Sequence, residues 1–440
     1  MKIKYSLIFI LIMLIMPCSV NAYNQNSKER ERLEEPYLIY TAEDLKKIGN
    51  DEKWSLDKHY KLMNDIVLEK PKEGESNWIP IGTLENPFTG VFDGNNKTIT
   101  GIVIETAESN GIGFFGYVNG EHSIIKALGI LDVSINLDKT DISQGCKTGA
   151  LVGSNTLGTI INCYSTGNIT GGKISTGGLI GITNGGVIER CYSKVNVQDD
   201  RKYESNMVGG LIGYANNCYI NDQISIEPIV QRCYTRGNVY GTGNAGGLIG
   251  RIHSGTLENC YSIGDIKGQM AAGGLIGVEG NCIIKNCYFV GNVIGEENVI
   301  SLRWPKSTGR DIDGEVGGIC GWGSYITNCI ILSEKIESYG YILGYITSDD
   351  KLYGESGKIE GNYILEDTKL ISHSFTPTRF ISDKNRFKSK EELTSQKTYE
   401  EIGWKFTGED AVWEFSGEYK LPKLIGVGGQ DELMTPEYLL

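Results

Sequence analysis

The chain has 440 residues with 58 glycines and only 10 prolines, a composition that excludes collagen and Pro/Gly-rich disordered tracts. Its formal net charge of −13 argues against a general binder of nucleic acids or anionic membranes, because such proteins present basic surfaces. Its 11 cysteines are too sparse for a disulfide scaffold.

Residues 1–22 have the layout of a secretory signal peptide. A basic start precedes an apolar run over 6–16, and small residues lead up to Ala22, after which we predict cleavage. The apolar run is shorter than the roughly 20 residues that span a bilayer. An uncleaved anchor helix and a lipoprotein anchored at Cys18 are alternatives, although Cys18 follows a proline instead of the usual small residue. We therefore predict a secreted or cell-surface protein with no membrane span in the mature chain.

The next segments are predicted to lead into the folded part. Residues 23–35 are rich in charges and are predicted to be a linker. Thr41 and Asp44 have the spacing of a capping box, and Gly49 provides a stop signal. This pattern predicts a short helix, which we interpret as part of an N-terminal cap over 36–110 that also holds the first turns of the repeat structure.

An internal repeat dominates residues 111–345. Its first block, Gly-Gly-Leu-Ile-Gly, occurs at 177–181, 209–213, 246–250 and 273–277, with variants at 149–153 and 317–321. Its second block is a cysteine that is followed, in all but the last repeat, by a tyrosine. Cys163 and Cys191 are 28 residues apart, and Cys233 and Cys260 are 27 apart, so the basic period is 27–28 residues with insertions between some repeats.

Alternation within each repeat predicts which side chains face inward. The residue three before each cysteine is apolar, and two mostly polar residues then interrupt the alternation, which predicts a bend or bulge there. Inward positions are predicted for a ladder of six cysteines: Cys163, Cys191, Cys233, Cys260, Cys287 and Cys329. Outward positions are predicted for the tyrosines that follow them: Tyr164, Tyr192, Tyr234, Tyr261 and Tyr288.

We predict an all-β fold, a right-handed parallel β-helix (β-solenoid) with about three short strands per turn. Glycine inside a helix costs about 1 kcal/mol relative to alanine, so the glycine-rich blocks exclude a helical repeat. A β-propeller blade needs about 40 residues, which is more than the shortest repeats contain. Stacked turns would lie about 4.8 Å apart, with equivalent side chains in ladders along the axis.

The ladder cysteines are predicted to be free, buried thiols. Zinc binding is one alternative, but stacked positions give a row instead of a tetrahedron, and the sequence has no Cys-x-x-Cys. Disulfides between neighbouring turns are another, but in-register Cβ atoms would lie slightly too far apart. The pairing of Cys146, Cys218, Cys282 and Cys320 stays open. The four histidines include no i, i+4 pair, and we predict no metal site, no cofactor and no catalytic residue.

The outward tyrosines are the candidate binding site. Five rings at strand spacing would expose a flat aromatic strip that suits sugars or partner proteins. The alternative is mutual stacking that only stabilises neighbouring turns. A second outward column is predicted to contain turn formers or an amide ladder: Asn168, Asn196, Asn238, Asp265 and Asn292.

The two blocks together resemble the GLUG repeat of bacterial secreted and surface proteins. Residues 246–266, GGLIGRIHSGTLENCYSIGDI, are close to its pattern, and 78–83 and 113–116 resemble the entry segment that often precedes such repeats. The resemblance implies an extracellular β-helix, as in adhesins or beside the catalytic domain of IgA-cleaving metallopeptidases. It transfers no catalytic residue, and the sequence has no His-Glu-x-x-His. Arg190 and Arg232 replace the usual asparagine, so those turns are expected to bend differently.

Downstream of the repeats, residues 346–388 are predicted to be irregular. Ser389 and Glu392 have the spacing of a second capping box before a helix, and aromatic residues then alternate as closing strands. We interpret 389–427 as a C-terminal cap on the solenoid, since caps cover exposed sheet edges. Residues 428–440 are predicted to be a tail.

These observations favour a non-enzymatic secreted or surface protein that acts in adhesion. Its expected partners are host or bacterial glycans or surface proteins, and not nucleic acid. A carbohydrate-active β-helix enzyme, a lyase or hydrolase, is the first alternative; hydrolysis would require two carboxylates about 5–10 Å apart on neighbouring turns. A passive structural module of a surface assembly is the second alternative.

Overall fold

The computed structural model describes residues 35–106, 110–137, 145–172, 174–199, 206–220, 224–296, 315–322, 325–339, 342–344, 358–373, 387–415, 420–430 and 436–439. The predicted signal peptide, Cys18 and all of the predicted linker except its last residue lie outside these ranges. The described chain is mostly β-structure. It contains one 31-stranded sheet, here called the long sheet, one 8-stranded sheet, here called the short sheet, and two 2-stranded sheets.

Strands in the long and short sheets pair in parallel, and each pairing joins one turn of the chain to the next. Val230 lies beside Leu257, and Leu257 lies beside Ile284, 27 residues further on. One turn, here called a rung, therefore repeats the side chains of the rung before it. This register confirms the predicted parallel β-solenoid.

The rungs divide into four columns of strands. The short sheet contains Gly111–Ile112, Lys147–Gly149, Ser175–Gly177, Met207–Gly209, Asn244–Gly246, Ala271–Gly273, Glu315–Gly317 and Ile342–Gly344. The first long-sheet column contains Phe115–Asn119, Val152–Thr156, Ile180–Asn184, Ile212–Asn216, Ile249–Glu258, Ile276–Lys285 and Cys320–Trp322. Ile249–Glu258 and Ile276–Lys285 continue into the second column, whose other strands are Ile124–Asn136, Thr159–Ile161, Val187–Glu189, Ile229–Gln231, Tyr325–Thr327 and Lys358–Glu360.

The third long-sheet column begins just after the ladder cysteines, and residues 129–136 of the strand Ile124–Asn136 also belong to it. Its strands are Tyr164–Thr170, Tyr192–Asp199, Tyr234–Arg236, Val239–Gly241, Tyr261–Ile263, Ile266–Gly268, Tyr288–Val290, Val293–Gly295, Ile330–Leu332, Lys335–Ser338, Tyr363–Leu365, Lys369–Ser372 and Phe387–Lys388. The rung over 244–268 thus has four strands where the sequence predicted about three. The additional break occurs at Gly264, whose φ of 150° interrupts the strand after the tyrosine.

The predicted bend before each ladder cysteine is a single residue in the left-handed backbone region. Its φ is 53° at Asn162, 54° at Asn259 and 52° at Asn286. Asparagine tolerates this region better than most residues, which explains its recurrence. Arg190 and Arg232 have φ values of 51° and 53°. The expectation that these two rungs bend differently is therefore wrong, because the stacked neighbours impose the same backbone on both residues.

The Gly-Gly-Leu-Ile-Gly block forms the corner between the short sheet and the first column. A Cβ on Gly246 would overlap the carbonyl oxygen of Ile249, and one on Gly247 would overlap the carbonyl oxygen of Gly274 in the next rung. Leu248 points into the core and is fully buried. The glycines are therefore required by close backbone approach, while the leucine supplies the apolar side chain that fills the corner.

The predicted capping box is present in the N-terminal cap. Thr41 accepts from the backbone N–H of Asp44, and the Asp44 carboxylate accepts from the N–H of Thr41, at the start of the helix Ala42–Lys47. Leu45 of this helix is fully buried in the core. The strands of this region are Tyr37–Ile39, His59–Leu62, Ile66–Val67, Val91–Thr100 and Val103–Ile104.

The solenoid continues into the segment predicted to be irregular. In the described part of 346–388, Lys358–Glu360 pairs in parallel with Tyr325–Thr327, and Lys369–Ser372 pairs with Lys335–Ser338. The sequence pattern failed here because Asn362 takes the next ladder position in place of cysteine. Its side chain accepts from the Cys329 N–H at 2.8 Å and donates to the Ile326 carbonyl at 2.9 Å.

The C-terminal segment 389–439 was predicted to cap the solenoid, but most of it lies along the side of the third column. The Ser389–Glu392 capping box is present, but the predicted helix is divided into Lys390–Leu393 and Gln396–Glu401. The segment starts on the last rung and then runs back along the outward side of the third column, where Gly429 reaches Tyr192. Its remaining elements are the antiparallel strands Trp413–Phe415 and Pro422–Leu424 and the 3₁₀ helix Glu437–Leu439. It therefore covers one side of the solenoid, along the third column.

Candidate functional site

The five predicted tyrosines form a continuous stack along the solenoid. Neighbouring ring centroids lie 4.7, 4.8, 4.8 and 4.6 Å apart from Tyr164 to Tyr288, and the rings are tilted by 6–8° from parallel. This spacing equals the strand spacing of a parallel sheet, so in-register pairing alone positions the rings. We refer to these residues as the tyrosine ladder.

The tyrosine ladder faces away from the core, but most of it is not exposed. Tyr234, Tyr261 and Tyr288 are buried, Tyr192 is 8% exposed, and only Tyr164 at the end of the stack is half-buried. The predicted exposed aromatic strip is therefore wrong for four of its five members. The C-terminal segment covers them, with apolar side chains from Trp404, Trp413, Leu421, Leu424 and Val427 in the same cluster as the tyrosines.

Hydrogen bonds fix the C-terminal segment to the ladder. The hydroxyls of Tyr234 and Tyr288 donate to the carbonyls of Gly428 and Pro422, at 2.9 and 2.8 Å. The Tyr261 hydroxyl donates to the Gln430 side chain at 2.8 Å. Burial raises the pKa of Tyr261 and Tyr288 well above the usual range, so both remain neutral donors. Residues 428–430, which were predicted to begin a tail, thus belong to the packed structure, because Gln430 is buried and bonded to the ladder.

The six ladder cysteines lie in the core as free thiols. All six are fully buried. The N–H of Cys191 donates to Sγ of Cys233, and the N–H of Cys233 donates to Sγ of Cys260, each at 3.4 Å. Burial raises the pKa of the Cys233 and Cys260 thiols well above the usual range. These two thiols are thus held in their protonated form, and full burial separates all six cysteines from solvent.

We expect thiol alkylation to separate the cysteines by burial. With iodoacetamide under native conditions, Cys218 should react, because its side chain is only half-buried on the surface hairpin Cys218–Ile220 and Ile224–Ile226. The ladder cysteines should react only after unfolding. Peptide mass spectrometry before and after denaturation measures both groups, and native labelling of Cys260 as fast as Cys218 would contradict the buried ladder.

The predicted polar column forms a ladder of side chains and backbone groups. Oδ1 of Asn196 accepts from the N–H of Asn238 at 3.1 Å, and Oδ1 of Asn238 accepts from the N–H of Asp265 at 2.9 Å. Asn292 donates to Asp265 from both its backbone and its side chain, each at 3.0 Å. This exposed column therefore links successive rungs at their surface.

A polar cluster lies near the C-terminal end of the solenoid. The Glu337 carboxylate accepts from Nζ of Lys335 at 2.6 Å and lies 2.8 Å from Nε2 of His373, whose ring stacks on Tyr339 at 4.0 Å. The hydrogen bond from Lys335, and secondly the one from His373, lowers the pKa of Glu337 below its usual range. The cluster therefore favours the ionised carboxylate and ties two rungs together.

The variant Glu337→Gln should lower the free energy of unfolding by up to about 1 kcal/mol at neutral pH. A carboxylate with a lowered pKa contributes above its ordinary pKa of about 4.3 and loses that contribution as the pH falls through its folded value. Wild type and variant should therefore differ in thermal midpoint near about pH 7 and converge near about pH 3. An equal difference at both pH values would show that the charge on Glu337 does not matter.

Metal sites and membrane-spanning helices were sought among the residues that the structure describes. Among them, no group of three or more His, Cys, Asp and Glu side chains is arranged to hold a metal ion. None of the helices in the described ranges is long and apolar enough to cross a membrane.

Sequence reasoning missed the partner of the tyrosine ladder and the grouping of basic residues on two adjacent rungs. The alternation of apolar residues near the C-terminus, which include Trp404, Trp413 and Leu424, indicated that they are buried. Nothing in that pattern identified the surface that they cover. The basic residues were visible in the two related stretches 190–194 and 232–236, RCYSK and RCYTR.

The parallel rungs, left-handed bends and side-chain ladders define a β-solenoid repeat protein. A family model described as the GLUG motif matches residues 145–170, 241–267 and 268–294. The chain therefore carries GLUG repeats, as the sequence pattern predicted.

Two curated relatives match about a third of the chain. A protein of Evansella cellulosilytica, provisionally described as a Gly-rich membrane protein, is 34% identical over 134 residues, which are 30% of this chain and 14% of that protein. Halomucin of Haloquadratum walsbyi is 30% identical over 142 residues, which are 31% of this chain and 1% of halomucin. The chain thus spans only a small part of either relative.

One solved structure is similar over most of the chain. It is a Bacteroides ovatus protein provisionally described as an immunoglobulin A1 protease, 18% identical, with 89% of this chain and 92% of that chain covered and a TM-score of 0.44. Similarity at this level supports no inference about function.

Proposed function

We propose that this chain is displayed outside the cell and binds glycan or protein partners through the uncovered outward side chains of its solenoid, without catalysing a reaction. The signal-peptide layout of residues 1–22 and the GLUG repeats support this proposal. The names of the two curated relatives, a Gly-rich membrane protein and halomucin, are in keeping with it.

The observation that carries the proposal is the fixed spacing of outward side chains. Stacked rungs hold equivalent groups at about 4.8 Å along several rungs, so partner-binding groups are ordered before a partner arrives. Preorganisation of this kind reduces the entropy lost on binding. Since the C-terminal segment covers most of the tyrosine ladder, contact would involve Tyr164, the bends beside it and the hairpin with the 59% exposed Tyr219.

The outward charges support binding over hydrolysis. Glu258 forms an ion pair with Lys285 on the next rung at 3.2 Å. The adjoining positions in this column are Gln231 and Thr327. Glycoside hydrolysis needs two carboxylates on facing sides of one bond, and this column alternates acid with base or a neutral group.

A glycan array combined with a reducing-sugar assay tests the proposal. The mature chain should bind a subset of glycans and release no reducing ends. Release of reducing ends would support the enzyme alternative, whereas no binding to any glycan or purified surface protein would support a passive structural module. Secretion with the native leader should yield a chain that begins at Tyr23. A lipid on Cys18 would instead show that the chain is a lipoprotein.

The tyrosine to replace in a binding test is chosen by how deeply its ring is buried. The double variant Tyr192→Ala, Tyr234→Ala should mainly reduce stability, because it removes rings that pack under the C-terminal segment. Tyr164→Ala instead alters the half-buried end of the stack and should reduce binding with a smaller loss of stability than the double variant causes. If Tyr164→Ala binds like wild type, the end of the tyrosine ladder is not part of the binding surface.

A further inference from the structure

The outer side of the second long-sheet column is accessible, whereas the outer side of the third column lies under the C-terminal segment. Over the six rungs from Thr159–Ile161 to Tyr325–Thr327, the central residue of each three-residue stretch is fully buried, and the residues on either side of it point away from the core. Of these twelve outward side chains, Ile283 is 47% exposed and the others are half-buried. Parallel sheets are usually covered on both faces, so this sheet face, which we call the outer face, is a candidate surface for a partner.

The outer face consists of two rows of side chains that are in register along the solenoid. The uncharged row contains Thr159, Val187, Ile229, Thr256, Ile283 and Tyr325. The mixed row contains Ile161, Glu189, Gln231, Glu258, Lys285 and Thr327. Neighbours within a row are about 4.8 Å apart, and the two rows are about 6.6 Å apart, because alternate residues of a strand share one face. The outer face therefore has fixed spacing in both directions.

The mixed row is complementary to itself when it is reversed. A two-fold axis that runs parallel to the strands, between the rungs of Gln231 and Glu258, would set Glu189 opposite the partner's Lys285. The same axis would set Gln231 opposite the partner's Glu258. Each contact occurs twice, as in every isologous interface. A shift by one rung in either direction would instead bring glutamate against glutamate, so the charges select one register.

The uncharged row keeps apolar contacts in the same arrangement. Val187 would face the partner's Ile283, and Ile229 would face the methyl group of the partner's Thr256. Two sheets that pack face to face keep their strands within about 30° of each other. This axis meets that condition, because a rotation about the strand direction leaves the strands aligned. The arrangement thus combines an apolar contact with two ion pairs.

Arg232 offers a further charge to the partner. Its backbone adjoins Gln231, the residue that would face the partner's Glu258. Arg232 is half-buried and forms no ion pair with any residue that the structure describes. Its φ of 53° is left-handed and favours asparagine, which the bends of the next two rungs have. The arginine at this bend therefore costs some folding energy, which an ion pair with the partner's Glu258 would offset.

We propose that two copies of this chain associate through the outer face, antiparallel to each other, about the two-fold axis between the rungs of Gln231 and Glu258. The inference goes beyond the proposed function and does not depend on glycan binding. The six rungs measure roughly 29 Å by 10 Å. This area is smaller than the roughly 800 Å² that each partner buries in a standard interface, so the dimer should be weak and should depend on concentration.

Analytical ultracentrifugation of the full chain over a concentration series measures the association. We expect a monomer–dimer equilibrium with a dissociation constant on the order of 10–100 µM. Lys285→Glu should weaken the dimer at least about tenfold, because it sets glutamate opposite the partner's Glu189. Glu189→Lys should weaken it similarly, because it sets lysine opposite the partner's Lys285.

The double variant Glu189→Lys, Lys285→Glu should recover most of the affinity, because opposite charges face each other again. Glu189 and Lys285 are three rungs, or about 14 Å, apart within one chain, so recovery reports a contact between chains. Lys267→Glu is the matched control, since it reverses an exposed charge on the third column and should leave the affinity unchanged. All variants should keep thermal midpoints close to that of wild type, because exposed ion pairs contribute little to stability.

Each outcome decides for or against the two-fold arrangement. Recovery in the double variant, with Lys267→Glu unchanged, supports it. A wild-type chain that stays monomeric throughout the series refutes it, as do single variants that associate like wild type. A double variant that stays as weak as the single ones shows that the register is wrong. If wild type is monomeric and Lys285→Glu changes its binding to a glycan array, the outer face binds a glycan instead of a second copy, and the proposal is wrong.

Discussion

Replacing Trp413 with alanine is expected to lower the free energy of unfolding by about 3–5 kcal/mol, the range for buried aromatic residues cut back to alanine. Trp413 is fully buried, stacks on Trp404 at 4.5 Å and lies 6.0 Å from the ring of Tyr288. The variant would leave a cavity between the C-terminal segment and the tyrosine ladder. The segment should then loosen before the rungs unfold, because the stacked strands do not depend on this side chain.

Three measurements can detect the loosening of the C-terminal segment. Chemical denaturation gives the change in free energy, near-ultraviolet circular dichroism reports the packing of the tyrosines, and the binding of a hydrophobic dye reports their exposure. Tyr219→Ala is the matched control, because Tyr219 is 59% exposed on the hairpin and should change the free energy by less than about 0.5 kcal/mol. If Trp413→Ala has the same unfolding midpoint and spectrum as the control, the segment does not depend on Trp413 for its docking.

Replacing Gly246 with alanine is expected to destabilise the chain by about 4 kcal/mol or more, which is exceptional for the addition of one methyl group. The added Cβ would overlap the backbone oxygen of Ile249, and no flexible side chain can move to make room. The corner would have to open, and this would separate the strand Asn244–Gly246 from Ile249–Glu258. Because each rung packs mainly on its neighbours, the damage should begin in the central rungs and spread outward.

Hydrogen exchange followed by mass spectrometry can locate that damage, and thermal unfolding gives its size. Gly428→Ala is the matched control, since a Cβ there would have its nearest neighbour, in the Tyr192 ring, at 3.9 Å. The control should fold like wild type. A Gly246→Ala protein with wild-type stability would mean that the corner tolerates a side chain and that its glycines are not required by close packing.

The sequence contained enough information to predict the rungs, because each rung repeats the same physical requirements. Period, inward parity and the bend before the cysteine follow from local alternation, and the six ladder cysteines are buried as predicted. The left-handed backbone at Arg190 was not predictable from residue type, because neighbouring rungs determine it. Asn362 marks a similar limit, since a polar side chain that bonds across rungs replaces the cysteine.

The candidate site was less predictable than the fold. Alternation shows whether a side chain points into the solenoid or away from it, but not whether another segment covers the outward side. Tyr261 is covered by Gln430, a residue 169 positions later in the chain, and only the folded structure brings the two together.

The C-terminal segment also limits where the solenoid can gain or lose a rung. Its anchors on Tyr234, Tyr261 and Tyr288 match three successive rungs. Duplication or deletion of one whole repeat in that interval would leave the strands correctly paired, yet displace the anchors by about 4.8 Å. Unequal recombination, a common source of copy-number variation in tandem repeats, would therefore be tolerated best between the N-terminal cap and Tyr164, beyond the anchored interval.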